Sequence, residues 1–85
     1  NITINSQVNI FPNPVVSTLN VICDFNCDAV NYRIYGMNGA IVYDETSACV
    51  SAKVKTINVE ALPTGVYLLK VTNSQGVATY PLIKK

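Results

Sequence analysis

The side chains able to do chemistry in this chain are few. There are three cysteines (Cys23, Cys27, Cys49), five carboxylates (Asp24, Asp28, Asp44, Glu45, Glu60) and no histidine. Without histidine the chain cannot assemble a Ser-His-Asp or Cys-His nucleophile, nor a His-ligated metal site. Three thiolates would still lack the fourth ligand of a tetrahedral metal, so neither metal nor cofactor is expected. Glycoside hydrolysis needs two carboxylates facing each other across a cleft. The five here read as solubilising groups of loops and strand edges, and no catalytic residue is assigned. The aromatics offer a different chemistry, a platform for sugar rings, with Tyr35 on an outer face and Phe25 in a loop. The alternative is that Tyr32, Tyr43 and Tyr67 belong to a core and the others cover edges.

The elements that would hold these groups must come from one small domain, for the chain has 85 residues. It opens at Asn1 and its only methionine is Met37. We expect it to be a piece of a longer product or a mature form. Net charge is +1 and charged residues make up 13%, about half the usual share of roughly 25%. No basic stripe is present, so no nucleic-acid partner is expected. No apolar run approaches the roughly 18 residues that cross a bilayer, so no membrane insertion is expected.

A regular beat of β-type runs predicts strands at 8–11, 19–23, 30–36, 40–44, 54–59, 66–72 and 77–83. Alternation places Val8 with Ile10, Leu19 with Val21 and Cys23, and Val30 with Tyr32 and Ile34, each set on one face. Val54, Ile57, Ala61 and Leu62 fall loosely at helical spacing. The crowding of β-branched residues and the following Pro63 favour a strand there. About seven short strands predict an all-β, immunoglobulin-like antiparallel β-sandwich, spanning residues 8–85 after a polar linker, 1–7.

Three punctuations divide the strands. Asn38-Gly39 between apolar runs is a hairpin signal, because both residues tolerate positive φ. A two-residue loop would pair Ile34 with Tyr43 and Arg33 with Asp44, and a four-residue loop would pair Ile34 with Ile41. Either register puts Tyr32, Ile34, Ile41 and Tyr43 on one face, read as the core. Pro12-Asn13-Pro14 removes two backbone donors and ends the first strand. Leu62-Pro63-Thr64-Gly65-Val66-Tyr67 resembles a tyrosine corner, in which the phenol reaches back to upstream backbone.

In this order the punctuations resemble a known family: the C-terminal sorting domain, type A, of proteins exported by the type IX (Por) secretion system of Bacteroidota. The resemblance rests on Ile10-Phe11-Pro12-Asn13-Pro14 followed by Leu19-Asn20-Val21, on Ile34-Tyr35, Asn38-Gly39 and Ile41-Val42, on Leu62 through Tyr67 with Lys70, and on Leu82-Ile83-Lys84-Lys85. It covers roughly residues 8–85. Two features depart from it: Gly36 stands where the pattern often has Asp, and the three cysteines lie outside the pattern.

The resemblance implies a non-catalytic domain that directs a larger cargo, N-terminal to it in the same chain, through the periplasm and across the outer membrane. The destination is the cell surface or the medium. The implied partners are the outer-membrane translocon and its shuttle and sortase proteins, with sortase cleavage near or before residues 1–7. The expected recognition residues are Leu82, Ile83, Lys84 and Lys85. Pro12, Asn13, Pro14, Asn38, Gly39, Leu62, Gly65 and Tyr67 are expected to set the shape. Lys84-Lys85 reads equally as a solvated tail that blunts an edge. An immunoglobulin-like carbohydrate-binding or adhesion module is the alternative function.

An exported protein meets an oxidising compartment, where three thiols allow one disulfide and one thiol left over. Cys23 and Cys27 flank a loop, and Cys49 falls in a polar stretch, 45–53, read as another. Cys27–Cys49 is the candidate bridge, with Cys23–Cys49 open. Cys23 also continues the Leu19 and Val21 face, and so reads as a buried thiol.

Overall fold

Apolar and polar residues alternate with period two along most of the chain, and that alternation becomes two packed sheets. The computed structural model describes residues 2–3, 7–50 and 53–85. Its strands are β1 (Ile2–Thr3), β2 (Val8–Phe11), β3 (Thr18–Cys23), β4 (Cys27–Tyr35), β5 (Ile41–Cys49), β6 (Val54–Asn58), β7 (Gly65–Thr72) and β8 (Gly76–Lys84). One sheet has the order β1-β8-β7-β4-β5, and the other β2-β3-β6. The pairs are antiparallel except β1, which runs parallel to β8 with Ile2 opposite Gly76 and Thr3 opposite Val77. Within the segment 1–7 read as linker, Ile2–Thr3 thus lie beside β8, and residues 1 and 4–6 fall outside the described residues.

The core is the space between the two inner faces. Leu19, Val21 and Cys23 of β3 and Ile57 of β6 meet Val30, Tyr32 and Ile34 of β4, Leu69 and Val71 of β7, and Ala78 and Leu82 of β8, all fully buried. Each large aliphatic side chain so buried is worth about 1.5–3 kcal/mol relative to exposure.

Where the sheets part, polar groups tie them together. Lys55, at an inward position of β6, reaches Glu45 on β5 and lies 5.6 Å from the centre of the Tyr32 ring. Tyr43 also donates to Glu45. At the other edge, the Tyr80 hydroxyl of β8 donates to the Val8 carbonyl of β2.

Two expectations are corrected. The stretch 45–53 is not all loop, because β5 continues to Cys49. Its polar residues suit an edge strand with one half-buried face, and Glu45, Thr46 and Ser47 pair with Tyr32, Asn31 and Val30 of β4. Ile41 is not in the core but half exposed, at 50%. The β4–β5 pairing gives Ile34 opposite Tyr43 and Arg33 opposite Asp44, then shifts so that Tyr35 opposes Ile41. One extra residue on β5 inverts the side-chain parity beyond it, and Ile41 turns to the outer face with Tyr35.

The turn itself has three residues. Gly39 N–H donates to the Gly36 carbonyl, Gly36 N–H donates to the Ala40 carbonyl, and Gly39 sits at φ 85°. That left-handed position explains the glycine. A Cβ on Gly36 would stand 3.1 Å from the Asn38 Oδ1, which itself accepts from Ala40 N–H at 3.1 Å. An Asp at position 36 would crowd the group that organises this turn.

Candidate functional site

The last strand, β8, is hydrogen-bonded on both edges, and on its outer edge by the proline-flanked segment. The Asn13 side-chain amide donates from Nδ2 to the Pro81 carbonyl at 3.0 Å and accepts at Oδ1 from Ile83 N–H at 3.1 Å. One side chain thus takes the place of a peptide group in a neighbouring strand. The main chain takes over at Val15, whose N–H donates to the Ile83 carbonyl and whose carbonyl accepts from Lys85 N–H, both at 2.8 Å. Three edge groups of β8 and the N–H of Lys85 just beyond it are satisfied in this way. Val15 itself is fully buried. The Phe11–Pro12 and Asn13–Pro14 bonds are both cis.

The inner edge of β8 pairs with the strand that follows the Leu62–Tyr67 turn: Gly65 opposes Lys84, Val66 opposes Ile83 and Tyr67 opposes Leu82. The Tyr67 hydroxyl donates to the Pro63 carbonyl at 2.5 Å, the tyrosine corner expected from the sequence. Leu62 is half buried against the core. The Asn38-Gly39 hairpin stands at the same end, where Gly39 and Met37 line an open groove with Tyr35, Val66, Leu68 and Pro81. All the expected shape-setting segments therefore converge on the end of β8.

The four residues expected to be recognised divide by exposure. Leu82 is fully buried and Lys84 is 6% exposed, its Nζ donating to the Lys85 carbonyl. Ile83, at 46%, and Lys85 are exposed. Ile83 joins an outer-face apolar surface. Across the sheet, Ile41, Tyr35, Leu68 and Pro81 sit in register, and Val66 opposes Ile83 in the next row. Farther along the same face the surface becomes polar, with Arg33, Asp44, Lys70 and Thr79. Arg33 Nε lies 3.3 Å from Asp44, as the hairpin register requires.

The carboxylates do not gather at a cleft. Asp44 accepts a hydrogen bond from Asn31 and forms an ion pair with Arg33 on the outer face, and these hold its carboxyl below the usual range. Glu45, on the inner face, is held low chiefly by Lys55 and then by Tyr43. Tyr35 and Phe25 do not form a joint platform either. Tyr35 faces outward on β4, whereas Phe25 packs against the core.

The three thiols, by contrast, come together. Cys27 and Cys49 oppose each other at the ends of β4 and β5. The buried Cys23 Sγ lies 3.9 Å from the Tyr32 hydroxyl, in the same core cluster as Cys49. Burial first, then Cys49, pushes the Cys23 thiol up to about 12.

The family model described as the secretion system C-terminal sorting domain matches residues 9–85, nearly the whole chain and every segment of the β8 end. The chain belongs to this family. A search of the curated proteins finds no match. Among solved structures, it is similar to a DUF3244 family protein from Bacteroides vulgatus with an immunoglobulin-like β-sandwich fold. The TM-score is 0.75 and the identity 21%, over 93% of this chain and 84% of that one. A second likeness, to the CARDB domain of a Pyrococcus furiosus protein solved with di-metal ions, covers 92% and 90% of the two chains at 20% identity and TM-score 0.48. The sorting domain is thus an immunoglobulin-like β-sandwich.

Sequence reasoning missed the outer apolar surface of the sorting domain. Its signal was present, since Val66-Tyr67-Leu68-Leu69 is a continuous apolar run. Such a run means that both faces of a strand are apolar, not one.

Proposed function

We propose that the sorting domain is a non-catalytic export signal, read by the type IX outer-membrane machinery at the β8 end. The observation that supports this reading most is the clamp of Asn13 and Val15 on the edge of β8. It ties the family's opening motif to its closing one. In this reading the recognised groups are the exposed Ile83 and Lys85, with Val66, Leu68 and Tyr35 beside them. Leu82 and Lys84 act from within, Leu82 as the anchor that fixes the strand. The cargo lies N-terminal in the same chain. It crosses the periplasm and the outer membrane, and a sortase acts near or before residues 1–7 to release it or attach it to the surface.

The test is a secretion assay. Residues 1–85 are fused behind a signal peptide and a fluorescent reporter, then expressed in a type IX-competent strain and in its translocon mutant. The reporter is expected outside the first and in the periplasm of the second. A folded, intact fusion retained by both strains would overturn the reading, provided a sorting domain native to the host is exported in parallel.

A further inference from the structure

We propose that Cys23 and Cys49 form a disulfide that joins the two sheets, and that Cys27 is the thiol through which the oxidant reaches them. Cys23 ends β3 in the three-stranded sheet, and Cys49 ends β5 in the five-stranded sheet. Both are buried in the same core cluster, at 0% and 5% exposure, with their thiols free. Cys27 has the opposite character. It is half-buried, and its thiol turns back to its own strand, donating to the Ala29 carbonyl at 3.3 Å. It is nonetheless the register partner of Cys49. Cys49 therefore stands between an accessible thiol and a buried one.

Burial excludes a small disulfide oxidant from Cys23 and Cys49 and keeps Cys23 protonated. Exchange proceeds by attack of a thiolate on a disulfide sulfur, so it starts where a thiol can be reached. With glutathione disulfide as oxidant, the Cys27 thiolate attacks it, and one glutathione leaves as thiol. Cys49 then attacks the Cys27 sulfur and releases the second glutathione. Cys23 gives its proton to the departing Cys27 as it attacks the Cys49 sulfur, so Cys27 is returned as a thiol. Two cysteine thiols are oxidised to one disulfide, and one glutathione disulfide is reduced to two thiols. The final bridge joins the two thiols that share the buried core cluster. Its occurrence in the cell rests on export through an oxidising compartment. The chemistry itself can be tested in vitro without that premise.

The folded 85-residue chain is incubated with glutathione disulfide, its free thiols are alkylated at intervals, and its peptides are mapped by mass spectrometry. The expected end product links the Cys23 and Cys49 peptides and carries the alkyl group on Cys27. Cys27→Ser should give the same bridge at least about tenfold more slowly, because only rare opening of the core then admits the oxidant. A dominant Cys27–Cys49 product at completion, or no bridge at all, overturns the pairing. An unchanged rate in Cys27→Ser overturns the role given to Cys27. Because Cys27 is only half-buried, that variant tests the route without removing a core side chain.

Discussion

Asn13 occupies the position where one side chain matters most. Its amide both donates to and accepts from β8, as a peptide group of a neighbouring strand would. Asn13→Ala removes both bonds and leaves Pro81 O and Ile83 N–H to water or to nothing. The expected cost is about 1–2 kcal/mol of unfolding free energy. Denaturant titration measures it, and hydrogen exchange localises it, since the Ile83 amide should lose protection while the Val71 amide in the core keeps its own. An Ile83 amide equally protected in both proteins would mean that the clamp contributes nothing. Tyr67 was legible from its Pro-x-Gly context, because a phenol four residues past a rigid turn has few other places to go. The role of Asn13 was not. Its motif announces a break in the first strand but not which edge the break will meet, and that contact spans about seventy residues.

At the scale of elements, β2 to β8 were legible as strands, and β1, inside the stretch read as linker, was not. Runs of β-branched and aromatic residues locate β2, β3, β6, β7 and β8 to within one residue at each end, whereas β4 begins three residues earlier than expected, at Cys27. β5 was read too short because an edge strand needs only one half-buried face, and Thr46, Ser47 and Ala48 carry no strong apolar signal. The parity error at Ile41 has the same root, for a bulge adds a residue without changing the composition. The three-residue turn at Gly39 can be tested directly. No atom lies within 4 Å of where its Cβ would go, so Gly39→Ala meets no clash and reports the backbone conformation alone. About 1 kcal/mol of destabilisation is expected, the cost of holding an L-residue at positive φ. Equal stability would show that the turn had relaxed to another type.

The open edge between β5 and β6 gives a pH dependence. The Glu45 carboxyl is held below its ordinary 4.5 by Lys55 and Tyr43. A group with a lowered folded pKa stabilises fully above its unfolded value and loses that contribution as the pH falls through the folded one. Stability should therefore be level above about pH 5 and fall below it. Glu45→Gln should flatten part of that fall, at a cost at neutral pH of less than about 1 kcal/mol because the pair is partly exposed. Thermal melts between pH 3 and 7 on both proteins decide this. Identical slopes would assign the acid loss elsewhere, with Asp44 beside Asn31 and Arg33 the next group to replace.

For the whole molecule, folding and recognition meet on one strand, and a simple truncation confounds them. Deleting Leu82 to Lys85 removes a fully buried leucine, one of the two partners of Asn13, both partners of Val15, and the inner-edge pairing with Gly65 and Val66. Lost export after such a deletion would follow from unfolding alone. The exposed and buried side chains of the same strand separate the two causes. Leu82→Ala empties a core site and should cost about 2–5 kcal/mol. Ile83→Ser and Lys85→Ala change side chains on the surface and keep the main-chain clamp, so each should alter stability by no more than about 0.5 kcal/mol. If the β8 end is what the secretion machinery reads, the double surface variant melts within a few degrees of the parent and yet leaves the reporter in the periplasm. If the machinery requires only a folded sandwich, that variant is exported normally, and export across a series of core variants instead tracks melting temperature.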